Sequence, residues 1–264
     1  MVGRRVNSRA FPGIEAYRTT QFLAEGIGPR VAGSVQERAA GEFISSAFRS
    51  MGYRTDLEVF QTPAGKESRN VIAGPMDPLP ERFIVVGAHY DSVADSPGAN
   101  DNASGVGVLV ETALCLAGIE LPIPVVYVAF GSEEGSHAGS KHFVASLESP
   151  SVVGMINLDA VGVEAGMEIG GFGGGDPWLA DHCRAMAEWL GHSLSECHFG
   201  GKSDYASFAG AGIPVACFAR TDQPSAHTPQ DNMSLISREG IAQFGEVLVT
   251  SLANLPARRG RTRG

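Results

Sequence analysis

The chain has 264 residues, 43% hydrophobic and 19% charged, with Gly 34 and Pro 15, which describes one large α/β domain rich in loops and excludes a fibrous or disordered chain. Its net charge is -9, and with Arg258, Arg259, Arg261 and Arg263 set aside at the very end, 16 of the 20 basic residues remain against 29 acidic ones; that argues against a nucleic-acid surface and suits a site that gathers cations. The most apolar stretch, Ile119 to Phe130, is broken by Pro122 and Pro124, so no membrane span is expected. Met1 to Gly13 carries Arg4, Arg5 and Arg9 without an apolar segment behind them, so a cytoplasmic location is expected unless the start is not native.

In chain order, Glu15 to Gly26 reads as a helix with Tyr17, Phe22 and Leu23 apolar. A second helix opens on the capping box Ser34-Val35-Gln36-Glu37, buries Phe43, Ile44, Ala47 and Phe48, and ends at Gly52. Tyr53 to Thr62 alternates as a half-exposed edge strand does, and Arg69 to Gly74 is a second short strand. Phe83 to Ala88 is continuously apolar, as a central strand covered on both faces must be. From Ala103 the period changes: Val106, Leu109, Val110, Ala113, Leu114 and Ala117 share a helical face closed by Gly118. Val125 to Phe130 is the next central strand, His137 to Leu147 a helix, and Val152 to Leu158 a third strand running into Asp159. Gly170 to Gly175 lacks the lysine and spacing of a phosphate loop and reads as a mobile surface turn. Asp176-Pro177 supplies an N-cap and an N1 proline for a helix over Trp178 to Leu190. Gly212 to Phe218 is the fourth central strand, and Ser234 begins a long closing helix.

Apolar strands alternating with helices predict a three-layer α/β/α domain with a mixed, mostly parallel central sheet. One domain spans residues 1–264, with its core at about 13–255 and a basic, disordered tail at 256–264. The four cysteines show no CxxC spacing; Cys115 and Cys217 fall inside apolar elements, and a Cys183–Cys197 bridge requires an oxidising compartment. His137, His142, His182, His192 and His198 have no partner pattern and read as surface or packing residues.

Ligands of open sheets bind outside the carboxyl ends of the strands. Those ends carry His89, then Glu133 and Glu134, then Asp159, then His227, with Asp101 on the loop after the first. Imidazole and carboxylate are the donors zinc accepts where it keeps a position open for water. Asp91 is too close to His89 along the chain to share its ion and is better placed to accept the other ring N–H. Five ligands serve two ions if one bridges. Asp101 is the natural bridge, leaving His89 with Asp159 and Glu134 with His227. Two Zn²⁺ against the carboxylates of Asp101, Glu134 and Asp159 and one bridging hydroxide make a neutral centre suited to hydrolysis. The remaining glutamate is the general base, although from the residues alone Glu133 and Glu134 are interchangeable in these roles.

The set His89-Tyr90-Asp91-Ser92, Gly98 to Gly105, Glu133-Glu134-Gly135 with Gly139-Ser140 and Phe143, Asn157-Leu158-Asp159 and His227-Thr228-Pro229 resembles the zinc aminopeptidases of the M28 family, the bacterial dizinc exopeptidases. Gly28 to Ser34 and Asn70 to Ala73 extend the likeness from about Gly13 to Leu255. The resemblance implies the phosphorylase/hydrolase-like zinc peptidase fold, His89 and Asp159 on one zinc, Glu134 and His227 on the other, Asp101 bridging, Glu133 as base, Asp91 orienting His89, and a cis peptide after Asp101. It implies release of the N-terminal residue from peptides whose free α-ammonium sits among Glu133, Asp159 and neighbouring polar groups.

Two positions depart from the family pattern. Ser203-Asp204-Tyr205 stands where a histidine often ends the triplet, and Ala226 where a tyrosine often precedes the last histidine and donates to the oxyanion. Tyr205 is a candidate for the missing hydroxyl and Lys202 for a substrate contact. The rival readings are a glutaminyl-cyclase-like transferase with a single zinc and a binding domain of the same fold without catalysis. The His-Thr-Pro-Gln-Asp ending and the Pro-Gly-Ala-Asn-Asp-Asn loop favour the peptidase.

Overall fold

The computed structural model describes residues 11–75, 80–147, 152–164, 166–173, 175–195, 200–220 and 223–256. The proposed tail beyond Pro256, and Cys197, His198 and Phe199, lie outside them. Among the described residues eight strands form one sheet, in the order β1-β2-β4-β3-β5-β8-β6-β7. The strands are β1 (Arg54–Gln61), β2 (Glu67–Gly74), β3 (Phe83–His89), β4 (Val125–Phe130), β5 (Val152–Asp159), β6 (Met167–Gly170), β7 (Leu194–Ser195) and β8 (Val215–Ala219). The four in the middle, β4, β3, β5 and β8, run parallel, and antiparallel neighbours join at β2 and β6. The sheet is therefore mixed with a parallel heart, as the strand pattern predicts.

The period of two along these strands sends alternate residues to two cores. Ile84, Val86, Ala88, Ile156, Leu158 and Phe218 face one side, under α1 (Ile14–Gln21), α2 (Val35–Ser50), α3 (Gly105–Leu116), α5 (Trp178–Trp189) and α7 (Arg238–Ala253). Phe83, Val85, Met155, Val215 and Cys217 face the other, under α4 (Ala138–Ser146) and α6 (Tyr205–Gly210). With both faces roofed, every residue of β3 is buried, which explains its unbroken apolar run.

Most helix ends follow the expected chemistry. Ser34 Oγ accepts the Glu37 N–H at 3.0 Å, while the Glu37 carboxylate reaches one residue further back, to the N–H of Gly33, and also accepts from Ser68. Gly52 and Gly118 take positive φ at the ends of α2 and α3.

Four expectations are corrected. Gly212 to Pro214 is not strand: the N–H groups of Gly212 and Ile213 bond the carbonyls of Ala209 and Phe208, a Schellman ending for α6 with Gly212 at φ 75°, so β8 starts at Val215. The closing helix starts at Arg238, capped by Ser237 Oγ on the Gly240 N–H, and residues 233–235 form a separate turn. Gly170 ends β6 instead of opening a turn. At α5 the cap falls on Pro177, with Asp176 accepting the Trp178 N–H from one residue earlier. Cys115, Cys183 and Cys217 are all buried, Cys183 as a free thiol.

Candidate metal centre

Because the central strands are parallel, their carboxyl ends share one edge, and the side chains expected there meet. His89 ends β3, Glu133 and Glu134 follow β4, Asp159 ends β5, and His227 comes from the loop after β8. Nε2 of His89 lies 3.1 Å from Asp101 Oδ1 and 3.7 Å from Asp159 Oδ1. Nε2 of His227 lies 3.4 Å from the other Asp101 oxygen, Oδ2, and 3.1 Å from Glu134 Oε2. Among the described residues the donor atoms fall into three sets of cation-binding size: His89 with Asp101 and Asp159, His89 with Glu133 and Glu134, and Asp101 with Glu134 and His227. Asp101 belongs to the first and the last, with one oxygen toward each histidine.

The electrostatics ask for positive charge. Burial is the largest pressure on Glu133 and pushes its carboxyl up to about 10, with Asp204, Asp159 and Asp91 adding to it. Burial likewise raises Glu134 to about 7, helped by Asp101 and Asp91. His89 would be lowered by its burial, yet the carboxylates of Glu133, Asp101, Asp159 and Asp91 hold it well above the usual imidazole range. Burial alone would raise Asp101, but the two imidazoles keep it well below the carboxylate range. His89 Nδ1 and Glu134 Oε1 are buried without a hydrogen-bond partner. A crowd of acids, two imidazoles and unsatisfied polar atoms is what one expects of a donor set built for cations, and it fits zinc in kind.

The loop that carries Asp101 is fixed by its neighbours. The Asp231 carboxylate accepts the N–H groups of Asn100 and Asp101 at 2.7 and 3.0 Å. Asn102 donates to the Leu158 carbonyl and accepts from Gly105 and Ala160, and Asn100 accepts from Gly162. An asparagine on each side therefore ties the turn to the segment after Asp159. The expected cis peptide is present between Asp101 and Asn102. The non-glycine residues with positive φ among the described residues, Ser132, His137, Ala160 and His227, all border this site; such backbone is sparsely populated and clusters where function fixes it.

Asp91 lies 3.6 Å from His89 Nδ1, beyond hydrogen-bond reach, and its two oxygens accept the N–H groups of Glu133 and Glu134 at 2.9 and 3.1 Å. It thus orients the glutamate pair more directly than the imidazole. Tyr205 is buried, and its hydroxyl accepts the N–H groups of Gly201 and Lys202, which organises the loop in front of it. That loop, with Lys202 and Tyr205, walls a cavity of about 310 Å³ that also borders Asp101, Asn157, Asp159, Cys217 and Ala219.

His137 corrects its expected role. Its Nε2 lies 3.3 Å from Glu133 Oε1, whereas His142 stacks on Phe60, His182 meets the Ser251 carbonyl and His192 pairs with Glu246. Three further residues lie in motifs quoted from the sequence but were given no role there. Arg30 is fully buried and donates to the carbonyls of Leu23, Gly28, Tyr90, Pro97 and Gly98. Asp231 anchors the bridging loop, and Asp204 sits fully buried within the field of Glu133. The signal available for Arg30 was its place between Pro29 and an apolar segment, where a solvated arginine has no reason to be.

A family model described as Peptidase family M28 matches residues 70–252. Aminopeptidase YwaD of Bacillus subtilis is 34% identical over 183 residues, 64% of this chain and 40% of that protein. Leupeptin-inactivating enzyme 1 of Streptomyces exfoliatus is 31% identical over 201 residues, 74% of this chain and 45% of its own length. The chain thus spans less than half the length of these curated relatives. Among solved structures, a zinc aminopeptidase from Bacillus subtilis superposes with a TM-score of 0.85 at 22% identity, covering 94% of this chain and 95% of that one. A glutaminyl cyclase from Bacteroides thetaiotaomicron gives 0.85 at 21%, covering 95% and 100%. At these identities the structures speak for the fold alone.

Proposed function

This chain belongs to peptidase family M28, and from that membership we propose that it is a zinc aminopeptidase releasing the N-terminal residue of peptides with two zinc ions bridged by Asp101. The observation that carries the reading is the division of the Asp101 carboxylate, Oδ1 toward His89 and Oδ2 toward His227. A single-zinc cyclase has no need of that arrangement. His89, Asp101 and Asp159 would hold one ion and Asp101, Glu134 and His227 the other. The zinc pair would lower the pKa of the attacking water and polarise the scissile carbonyl.

The protein's own groups do the rest. Glu133, buried beside the ligand positions, takes the water's proton and delivers it to the leaving amine. Asp91 holds the backbone of Glu133 and Glu134 so that base and ligand keep their separate directions. The cavity beside Asp159 receives the side chain of the cleaved residue, and the α-ammonium is met by Glu133 and Asp159. Tyr205 acts through the Gly201–Lys202 loop it organises, placing Lys202 at the mouth of that cavity.

The test counts zinc per chain and compares an aminoacyl-p-nitroanilide with a glutaminyl substrate. Two zincs and release of nitroaniline support the aminopeptidase; one zinc and pyroglutamate formation overturn it for the cyclase. Glu133→Gln is expected to keep both zincs and lose about 10²–10⁴-fold in rate, the range a positioned acid–base group supplies. Glu134→Gln is expected to lose metal, and retention of metal and activity in both variants would reverse or dismiss the assignment.

A further inference from the structure

A general base needs its carboxylate held as well as its backbone. Asp91 fixes the Glu133 N–H, but that leaves the side-chain torsions free. The turn after β4 supplies the missing constraint. The Glu133 carbonyl accepts the N–H groups of Ser136 and His137 at 3.0 and 2.8 Å, and Gly135 and His137 take φ of 79° and 50°. Two left-handed residues wind the chain back over its start, so residue 137 stands above residue 133 before α4 begins. A histidine adopts this backbone more readily than most side chains. The result is the contact of 3.3 Å between His137 Nε2 and Glu133 Oε1, with the histidine side chain 22% exposed and the glutamate side chain 7%.

We propose that His137 is a positioning residue for Glu133: it holds Oε1 through Nε2 and commits Oε2 to the reacting water. This rests on the reading of Glu133 as the base. His137 touches neither the reacting bond nor the ligand positions, so its effect is on the geometry of proton transfer and not on metal binding. Misplacing a reacting group by about 1 Å can cost about 10²-fold in rate.

The experiment uses the zinc-loaded protein, wild type beside His137→Ala, His137→Gln and His137→Asn. The alanine variant is expected to keep the wild-type zinc content and melting temperature and to lose about 10–10²-fold in kcat with little change in KM. Glutamine, whose terminal nitrogen can stand near the position of Nε2, is expected to restore most of the loss, and the shorter asparagine to restore little. In parallel, long-range proton–nitrogen spectra of the zinc-free protein follow the ring: Glu133→Gln is expected to move the His137 Nε2 signal and leave those of His142 and His182 in place. An alanine variant with wild-type kcat, or one rescued by neither amide, overturns the proposal, as does a His137 signal indifferent to Glu133→Gln. If the wild-type protein turns over no aminoacyl substrate, the aminopeptidase reading falls, and the spectra still decide whether His137 holds Glu133.

Discussion

A carboxylate can serve two cations only when each oxygen is presented in its own direction, and under the proposed two-zinc reading Asp101 would do so through its neighbours. Its N–H is held by Asp231, and the asparagines on either side are bonded to the chain around Asp159. The ligands at its two ends differ in one respect that predicts behaviour. The His89 side chain is 2% exposed and that of His227 56%. A chelator therefore reaches the Glu134–His227 position first, and dialysis against a chelator is expected to remove zinc in two phases, followed by metal analysis of samples drawn in time. His227→Ala should abolish the fast phase and leave one zinc per chain; two ions leaving together from the wild type would contradict this ordering. At this scale the sequence was most legible, because metal donors are few in kind and five of them stood at strand ends. The glutamate pair was not separable from the residues themselves, since adjacent residues share every sequence property, and only the family resemblance assigned one as base and the other as ligand. His137 was illegible for a different reason: its contact depends on two left-handed residues in a turn, and no periodicity reports them.

Elements with a strong apolar period were found from the pattern alone, and those too short to have one were not. β6 has four residues, β7 two and α6 six, no more than two alternations of a strand and less than two turns of a helix. For α6 a signal did exist in Gly212, which ends the helix in a left-handed conformation, but the apolar residues after it read as strand. Packing between elements leaves its own mark at Gly107 in α3. A Cβ there would stand 2.4 Å from the Ala16 carbonyl oxygen and 2.7 Å from Thr20 Oγ1, so α1 and α3 approach at a distance only glycine permits. Gly107→Ala is expected to destabilise the protein by about 1–3 kcal/mol, the usual cost of overpacking a core, measured by denaturant unfolding of the zinc-loaded form. An unchanged midpoint would mean that α1 moves aside at no cost.

Across the whole molecule, the parallel heart of the sheet is what converts local motifs into one site. His89, Glu133, Asp159 and the approach to His227 are far apart along the chain and close in space because β4, β3, β5 and β8 end at the same edge. Gathering so many acids has a consequence for stability. In the metal-free protein Glu133 is pushed up to about 10 and Glu134 and Asp204 to about 7, burial being the largest cause for each. Contact with Asp101 raises His227 to about 9. Groups raised on folding contribute stability that is complete below their unfolded values, about 4 for the acids and about 6.5 for the histidine, and lose it as pH climbs through the folded ones. Asp101 has the opposite sign, but it stands against four groups. The melting temperature of the metal-free protein is therefore expected to fall between about pH 5 and pH 9, and saturating zinc should flatten that slope by supplying the missing counter-charge. Scanning calorimetry with and without zinc across this range checks it, and a metal-free protein that grew more stable toward pH 9 would refute the account.

Arg30 has a consequence that reaches past its own neighbourhood. Its fork clasps the carbonyl of Tyr90, between His89 and Asp91, together with those of Pro97 and Gly98, just upstream of Asp101. A lysine has too few donors, and no planar fork, to grip all of these at once. The spread of the two loops, and with it the span that the proposed pair of ions would have, is thus gauged by a guanidinium spent wholly on backbone carbonyls.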